Sequence, residues 1–309
     1  MTRTKIQTVF FAMGTAIILT VFDQRDEEAV RAAKCRVLEL HKKWNAFDPD
    51  SELSRIRFAA GTAYASVSRD TVSILERCAA LSVLTDGCFD VTAGPICMLW
   101  KQALSQKTFP QKEDIRRAAA LTDYRDIRID RENSAVMLRR NGQSIDLGAV
   151  AKGYAADEVR RILTENGVRE AVVNLGGTVV VIGAEKRVGI QNPFRKTGTP
   201  FASTSVCDCA LVSSGVYEQG DTVQGVPIHH LIDPKTGYPA PSEIAGITLI
   251  GGNAADMDAL ATATFVMPES HTRALLHQYS IDAVAVTKDG KILASDGVRD
   301  KIEIFQQEG

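Results

Sequence analysis

The chain has 309 residues, 45% of them hydrophobic and 24% charged, which excludes a disordered or low-complexity protein and supplies apolar material for a sizeable core. A formal net charge of −2 and a pI near 6.2 exclude a broadly basic surface, so neither nucleic acid nor an anionic membrane is expected as a partner. No Pro/Ser-rich linker or charge block divides the sequence, so one domain over 1–309 is expected, with room for two lobes.

Arg3 and Lys5 ahead of the apolar run from Val9 to Phe22 imitate a secretory signal. Gly14 and Thr15 interrupt that run, no small-x-small cleavage site follows, and the acidic "DQRDEEA" comes next without a cysteine placed for lipid attachment. The segment therefore reads as two short strands bent at Met13-Gly14-Thr15, and a cytoplasmic location is expected. No later stretch reaches the roughly 18 to 20 apolar residues of a membrane span.

Residues 26–47 have helical spacing, with acids at the start and bases near the end. Further helices are expected over 68–84 and from "QKEDIRRAAALT" after Pro110, with a hairpin over 125–140. Between them "TDGCFDVTAGPICMLW" reads as a loop, opened by the helix-ending glycine of Thr85-Asp86-Gly87 and bent at Gly94-Pro95. A helix over about 150–166 is followed by strands at "AVVNL", "TVVVIG", "VGIQ", "CALVS", "HHLID" and "GITLI", then by helical pattern at 254–267 and 269–279. A terminal hairpin turns at Asp289-Gly290. Helices in one run and strands in another predict an α+β fold with mixed or antiparallel sheets flanked by helices.

The six cysteines read as reduced and buried, not as a disulfide framework. Cys207-Asp208-Cys209 has the wrong spacing for a zinc pair and reads as a strand with alternating thiols.

Several stretches could carry chemistry. In "NAADMDALATATF", Asp258 and Thr262 stand four apart, on one face of a helix, as hard oxygen donors of the kind Mg²⁺ takes; the alternative is a helix start capped by Asp256 or Asp258. In "IHHLIDPKTGYPAP", a strand carrying His229 and His230 would run into a tight turn at Asp233-Pro234-Lys235-Thr236-Gly237, with at most one histidine facing a given site as a general base. The alternative is a packed histidine satisfied by backbone. "IDLGAVAKGYAADEV" breaks at Gly148 between Asp146 and Lys152 and suggests an anion site at a helix start. Gly176-Gly177 and Gly215 add glycine turns, but neither a P-loop nor a dinucleotide fingerprint is present.

In order along the chain, "MGT" at 13–15, "FDPDSELSRI", "TDGCFDVTAGPICMLW", "IDLGAVAKGYAAD", "VVNLGGTVVVIG", "SSGVYE", "HHLIDPKTGYP" and "DALATATFVM" resemble one family, the ApbE flavin transferases. The resemblance spans nearly the whole chain and implies Mg²⁺-dependent transfer of the FMN half of FAD to a Thr or Ser of a client flavoprotein, with release of AMP. It further implies that Asp258, Thr262 and the backbone carbonyls of Ala149 and Ala261 hold the metal. Met13, Phe47, Cys88, Phe89, Asp90, Asp146, Lys152 and Ile232 fall on flavin-nucleotide contacts, and His230 on the base, with Asp258 also part of the catalytic machinery. Phe47 stands where the family often has tyrosine, and Val216 where it often has a polar residue. Competing readings are an Mg²⁺-dependent FAD pyrophosphatase and a flavin carrier without turnover.

Overall fold

The structure is a computed structural model that describes residues 5–22, 27–195, 198–216 and 221–305. Strands β1 (Ile6–Ala12) and β2 (Thr15–Val21) form a hairpin whose two central residues, Met13 and Gly14, have φ of 51° and 75°. That is the turn a two-residue hairpin requires.

Helices α1 (Glu27–Trp44) and α2 (Glu52–Ala59) follow, then β3 (Ala65–Ser66), α3 (Arg69–Leu84), α4 (Gly94–Ser105) and α5 (Lys112–Ala120). The hairpin β4 (Ile127–Asp130) and β5 (Ala135–Leu138) leads to α6 (Ala151–Glu165). The strand-rich part comprises β6 (Ala171–Leu175), β7 (Thr178–Ile182), β8 (Lys186–Gln191), β9 (Pro200–Val206), β10 (Ala210–Gly215), β11 (Asp221–Val223), β12 (Val226–Ile228) and β13 (Ile244–Gly251). The chain closes with α7 (Ala254–Ala263), α8 (Glu269–Gln278), β14 (Asp282–Thr287), β15 (Ile292–Ala294), α9 (Asp296–Arg299) and β16 (Ile302–Ile304).

Eight strands make the main sheet in the order β1-β2-β6-β7-β10-β13-β14-β15, every neighbour antiparallel. The fold is α+β, as expected. Alternation along the strands sorts the core: Val212, Ile247 and Leu249 join α1, α6 and α7 on one face, while Leu211, Ile250 and Val284 meet β8 and β9 on the other. Each fully buried Leu, Ile or Val contributes about 1.5–3 kcal/mol. A smaller core joins Ile96 and Trp100 of α4 to Ile115 of α5, Val223 and Ile228. Among the described residues no helix is long and apolar enough to cross a membrane.

Several expectations are corrected. "TDGCFDVTAGPICMLW" is not all loop: Pro95 lies in the first turn of α4, where its missing N–H costs nothing, so Gly94-Pro95 starts a helix. "HHLID" is not a strand, because β12 ends at Ile228 and only Ile232 makes an isolated bridge, to Pro239. Cys207-Asp208-Cys209 is a turn between β9 and β10, with Asp208 at φ 45°. Cys35 and Cys207 are exposed rather than buried, and all six cysteines are free. The end of "SSGVYE", at 217–218, lies outside the described residues, whereas Val216 is packed in the core.

Candidate functional site

The close approach of α6 and α7 organises the site. A Cβ on Gly153 would lie 2.3 Å from the Ala254 carbonyl oxygen, so only glycine allows this spacing. Asp157, one turn further along α6, accepts the Ala254 and Ala255 N–H groups at 3.0 and 2.9 Å, and Asn253 caps the helix by accepting from Asp256 N. Burial pushes the Asp157 carboxyl up, and those two N–H groups together with Arg77 and Arg160 oppose the shift. Asp256 pairs with Arg77 at 2.6 Å. The capping alternative for Asp256 and Asp258 is therefore not what the fold uses.

Asp258, only 3% exposed, points from α7 into the first turn of α6. Its Oδ2 accepts the Gly153 N–H at 3.0 Å, and its Oδ1 faces the Lys152 ammonium at 3.7 Å. Gly153 is the third residue of α6, where an N–H has no partner within the helix, and Asp258 supplies one. Ala149 lies just ahead of the helix, and no described residue donates a hydrogen bond to its carbonyl.

A carbonyl is also left over at the end of α7. Phe265 N donates to Thr262 O, so Ala261 O lacks the N–H it would receive in a continuing helix and accepts only the Thr264 hydroxyl, at 2.7 Å. The hydroxyl of Thr262, half-buried and one turn beyond Asp258, makes no hydrogen bond to a described residue. The donors implied for the metal are thus the groups the helical ladders leave over: one carboxylate oxygen, two carbonyls with spare lone pairs, and a hydroxyl. No three His, Cys, Asp or Glu side chains converge among the described residues. A donor set of one anion and neutral oxygens fits Mg²⁺, which keeps water and phosphate as its other ligands, and does not fit zinc.

Lys152 Nζ also donates to Gly148 O at 3.2 Å, and Asp146 Oδ1 accepts the Gly148 N–H at 2.6 Å. Gly148 is needed for that contact, since a Cβ would meet Asp146 Oδ1 at 2.9 Å; its φ is ordinary. The Asp146 N–H donates to Val91 O at 2.8 Å, and Ala93 bridges Ser144, so the segment after Asp90 runs beside the strand-like approach to α6.

Helix α4 links the remaining predicted contacts. Burial and the nearby Asp146 carboxylate push the Cys97 thiol up, while the Lys101 ammonium opposes. Lys101 Nζ lies 4.4 Å from the ring centre of Phe47, which is 68% exposed and free to stack on a planar ligand. Ile232 packs with Ile96 and Trp100, and Trp100 Nε1 donates to Gly237 O at 2.7 Å. That bond pins the Asp233–Gly237 turn, in which Asp233 accepts from Lys235 N and the Thr236 hydroxyl. Met13 is tied to α1 through its N–H to His41 Nδ1 at 3.3 Å, and α1 packs on α6.

Other predicted residues are engaged internally. Cys88 and Phe89 are 6% and 4% exposed and belong to the core. Asp90 accepts from Thr92 N and the Thr92 hydroxyl on one oxygen and from Tyr124 N on the other; burial raises its pKa against these bonds. A nucleotide would meet this segment through backbone. His229 is half-buried; burial and Lys288 lower its pKa against the neighbouring Ala240 and Leu231 backbone, and its buried Nδ1 has no hydrogen-bond partner among the described residues. His230 is half-buried at the start of the pinned turn. Gly176 and Gly177, at φ 57° and 89°, form the β6–β7 turn, and a Cβ on Gly176 would lie 2.0 Å from Thr15 Oγ1. The "MGT" and "NLGG" stretches are therefore two hairpin turns pressed together.

A cleft of about 290 Å³ beside Asn192, Ser213 and Thr248 opens on the other face of the sheet and contains none of the predicted site residues. Sequence reasoning missed Gly153 and Asp157. The signal was available in the spacing of Gly153, Ala156 and Asp157, a small-residue stripe with a carboxylate beside it on the face that meets α7.

The sequence profile of the ApbE family matches residues 13–285. The chain is 32% identical to an FAD:protein FMN transferase of Klebsiella pneumoniae, covering 93% of this chain and 90% of that protein. It is 30% identical to an FAD:protein FMN transferase of Treponema pallidum, covering 95% and 87%. The crystal structure of the ApbE protein of Thermotoga maritima superposes with a TM-score of 0.86 at 30% identity, covering 95% of this chain and 98% of that one.

Proposed function

The chain belongs to the ApbE family, and from that premise we propose that it transfers the FMN moiety of FAD to a Thr or Ser hydroxyl of a client flavoprotein. In this reading the client oxygen forms a bond to the FMN phosphorus, the bridging P–O bond to AMP breaks, and the hydroxyl proton passes to His230. AMP leaves with the pyrophosphate oxygen.

The observation that carries the reading is the α6–α7 junction, where the buried Asp258 carboxylate meets the start of α6 through the Gly153 N–H at 3.0 Å and the Lys152 ammonium at 3.7 Å. Asp258, Thr262 and the carbonyls of Ala149 and Ala261 would hold Mg²⁺. Bound there, the ion supplies charge stabilisation at the phosphates, without a proton transfer. Lys152 adds a second positive group for the phosphate charge, and the start of α6 favours an anion. Asp146, whose Oδ2 receives no hydrogen bond from a described residue, contacts polar groups of the nucleotide. Phe47 stacks on the flavin, and Met13, Ile232 and the backbone of Cys88, Phe89 and Asp90 line its path.

The test is to incubate the protein with FAD and Mg²⁺, with and without a Thr-containing client domain, and to follow free FMN, AMP and client mass. A client mass gain of one FMN with equimolar AMP is expected. Free FMN without client modification means hydrolysis, and unchanged FAD means a carrier; either result removes the transferase reading. For His230, the His230→Asn variant is expected to lose the neutral-range limb of the pH–rate profile, and an unaltered profile would exclude it as base.

A further inference from the structure

Gly148, Lys152 and Asp258 already form a charge-balanced set by themselves. Asp258 is buried, its side chain 4% exposed, and a buried carboxylate needs a compensating positive charge. Among the described residues Lys152 is the only cation paired with it, 3.7 Å from Oδ1, while the same ammonium donates to Gly148 O at 3.2 Å. Those two acceptors border the donors assigned to the metal: Oδ1 is one of them, and Gly148 O is the carbonyl next to that of Ala149. An ammonium and a divalent cation cannot both approach Oδ1 without like-charge repulsion.

Lys152 has a route away. Its side chain is 25% exposed, on a flexible four-carbon stem, and the Gly153 N–H holds Asp258 Oδ2 in place whether or not the lysine stays. We propose that Lys152 is the internal counter-ion of Asp258 in the metal-free protein and thereby couples the two ligands. The diphosphate of FAD draws the ammonium off Oδ1, and the metal then binds an oxygen relieved of its competitor. The proposal rests on the FAD–Mg²⁺ reading above. Linkage makes the coupling reciprocal: FAD tightens metal binding by the same factor as metal tightens FAD binding.

The sign of one substitution separates this role from simple phosphate contact. Removing a lysine that only touches phosphate leaves metal affinity in the absence of FAD unchanged, and removing one that only supports the fold lowers it. Removing a competing cation raises it.

The experiment uses the full chain freed of metal, with Mn²⁺ as the probe measured by calorimetry and FAD by flavin fluorescence, no client being present. Lys152→Met is expected to bind Mn²⁺ alone about tenfold more tightly than the unsubstituted protein, to bind FAD more weakly, and to lose most of the enhancement of Mn²⁺ binding by FAD. Lys152→Arg, which keeps a cation, is expected to show no gain in Mn²⁺ affinity, and circular dichroism of both variants verifies folding. Unchanged or weaker Mn²⁺ binding in folded Lys152→Met, or an equal gain in Lys152→Arg, overturns the proposal while leaving the FAD–Mg²⁺ reading intact. An unsubstituted protein that binds neither FAD nor Mn²⁺ overturns that reading and the coupling with it.

Discussion

Asp90, in the loop after α3, and Asp258, in α7, are both withdrawn from solvent, but their surroundings use them differently. Asp90 has donors on both oxygens, from Thr92 and Tyr124, and so fastens its loop to the turn at 124–126. Asp258 has one N–H on Oδ2 and, on Oδ1, only an ammonium at 3.7 Å, beyond hydrogen-bonding distance. A carboxylate with protein donors on both oxygens holds structure. One with an oxygen that receives no hydrogen bond from a described residue is open to a cation.

The largest test of that contrast is Asp258→Ala, expected to cut turnover by about a thousandfold or more and to abolish calorimetrically detected Mn²⁺ binding. Turnover that stays strictly Mg²⁺-dependent at full rate in this variant would sink the metal assignment. Gly153→Ala comes next, because its Cβ must displace the Ala254 carbonyl and spread α6 from α7. Overpacking of this kind costs about 1–3 kcal/mol, so a lowered melting temperature together with weakened Mn²⁺ binding is expected. Retention of both would mean that the junction does not set the site.

Asp90→Asn should reverse the pattern. It turns an amide donor toward backbone donors and should destabilise the fold by about 2 kcal/mol, seen in denaturant midpoints, while Mn²⁺ affinity stays as it was. The smallest effect is expected at Asp70, in α3. Burial works against its charge, yet hydrogen bonds from Arg36 and Lys43 hold its carboxyl below the ordinary carboxylate value. A lowered folded-state pKa means a contribution that is complete above about pH 4 and is lost as pH falls through the folded value. Asp70→Asn should therefore shallow the loss of melting temperature below pH 4, and parallel curves for the two proteins would refute this.

The helices α1, α3, α5 and α6 and the Met13-Gly14 turn were legible because periodicity and turn chemistry act over a few residues. Helix α4 was hidden by Gly94-Pro95, a pair that reads as a bend unless the proline is recognised as a first-turn residue. The run "HHLID" has strand composition, but its backbone groups bond within the loop, Ala240 N to Leu231 O and Asp233 N to Tyr238 O, which no local pattern discloses. At the site, the fourfold spacing of Asp258 and Thr262 was visible. The capping of the Gly153 N–H by a carboxylate 105 positions away was not, because it exists only once α6 and α7 have met.

The pairing of β2 with β6 has a consequence for how this protein is made. Val21 lies opposite Ala171, and the intervening chain contains α1 through α6. Closing so long a loop is entropically costly and makes such sheets slow to assemble. The first hairpin leaves the ribosome long before its partner strand exists, with Ile17 and Leu19 waiting for a core that arrives later. The α6–α7 junction is completed later still, because α7 lies at Ala254–Ala263, so most of the chain must be made before either the sheet or that junction can close.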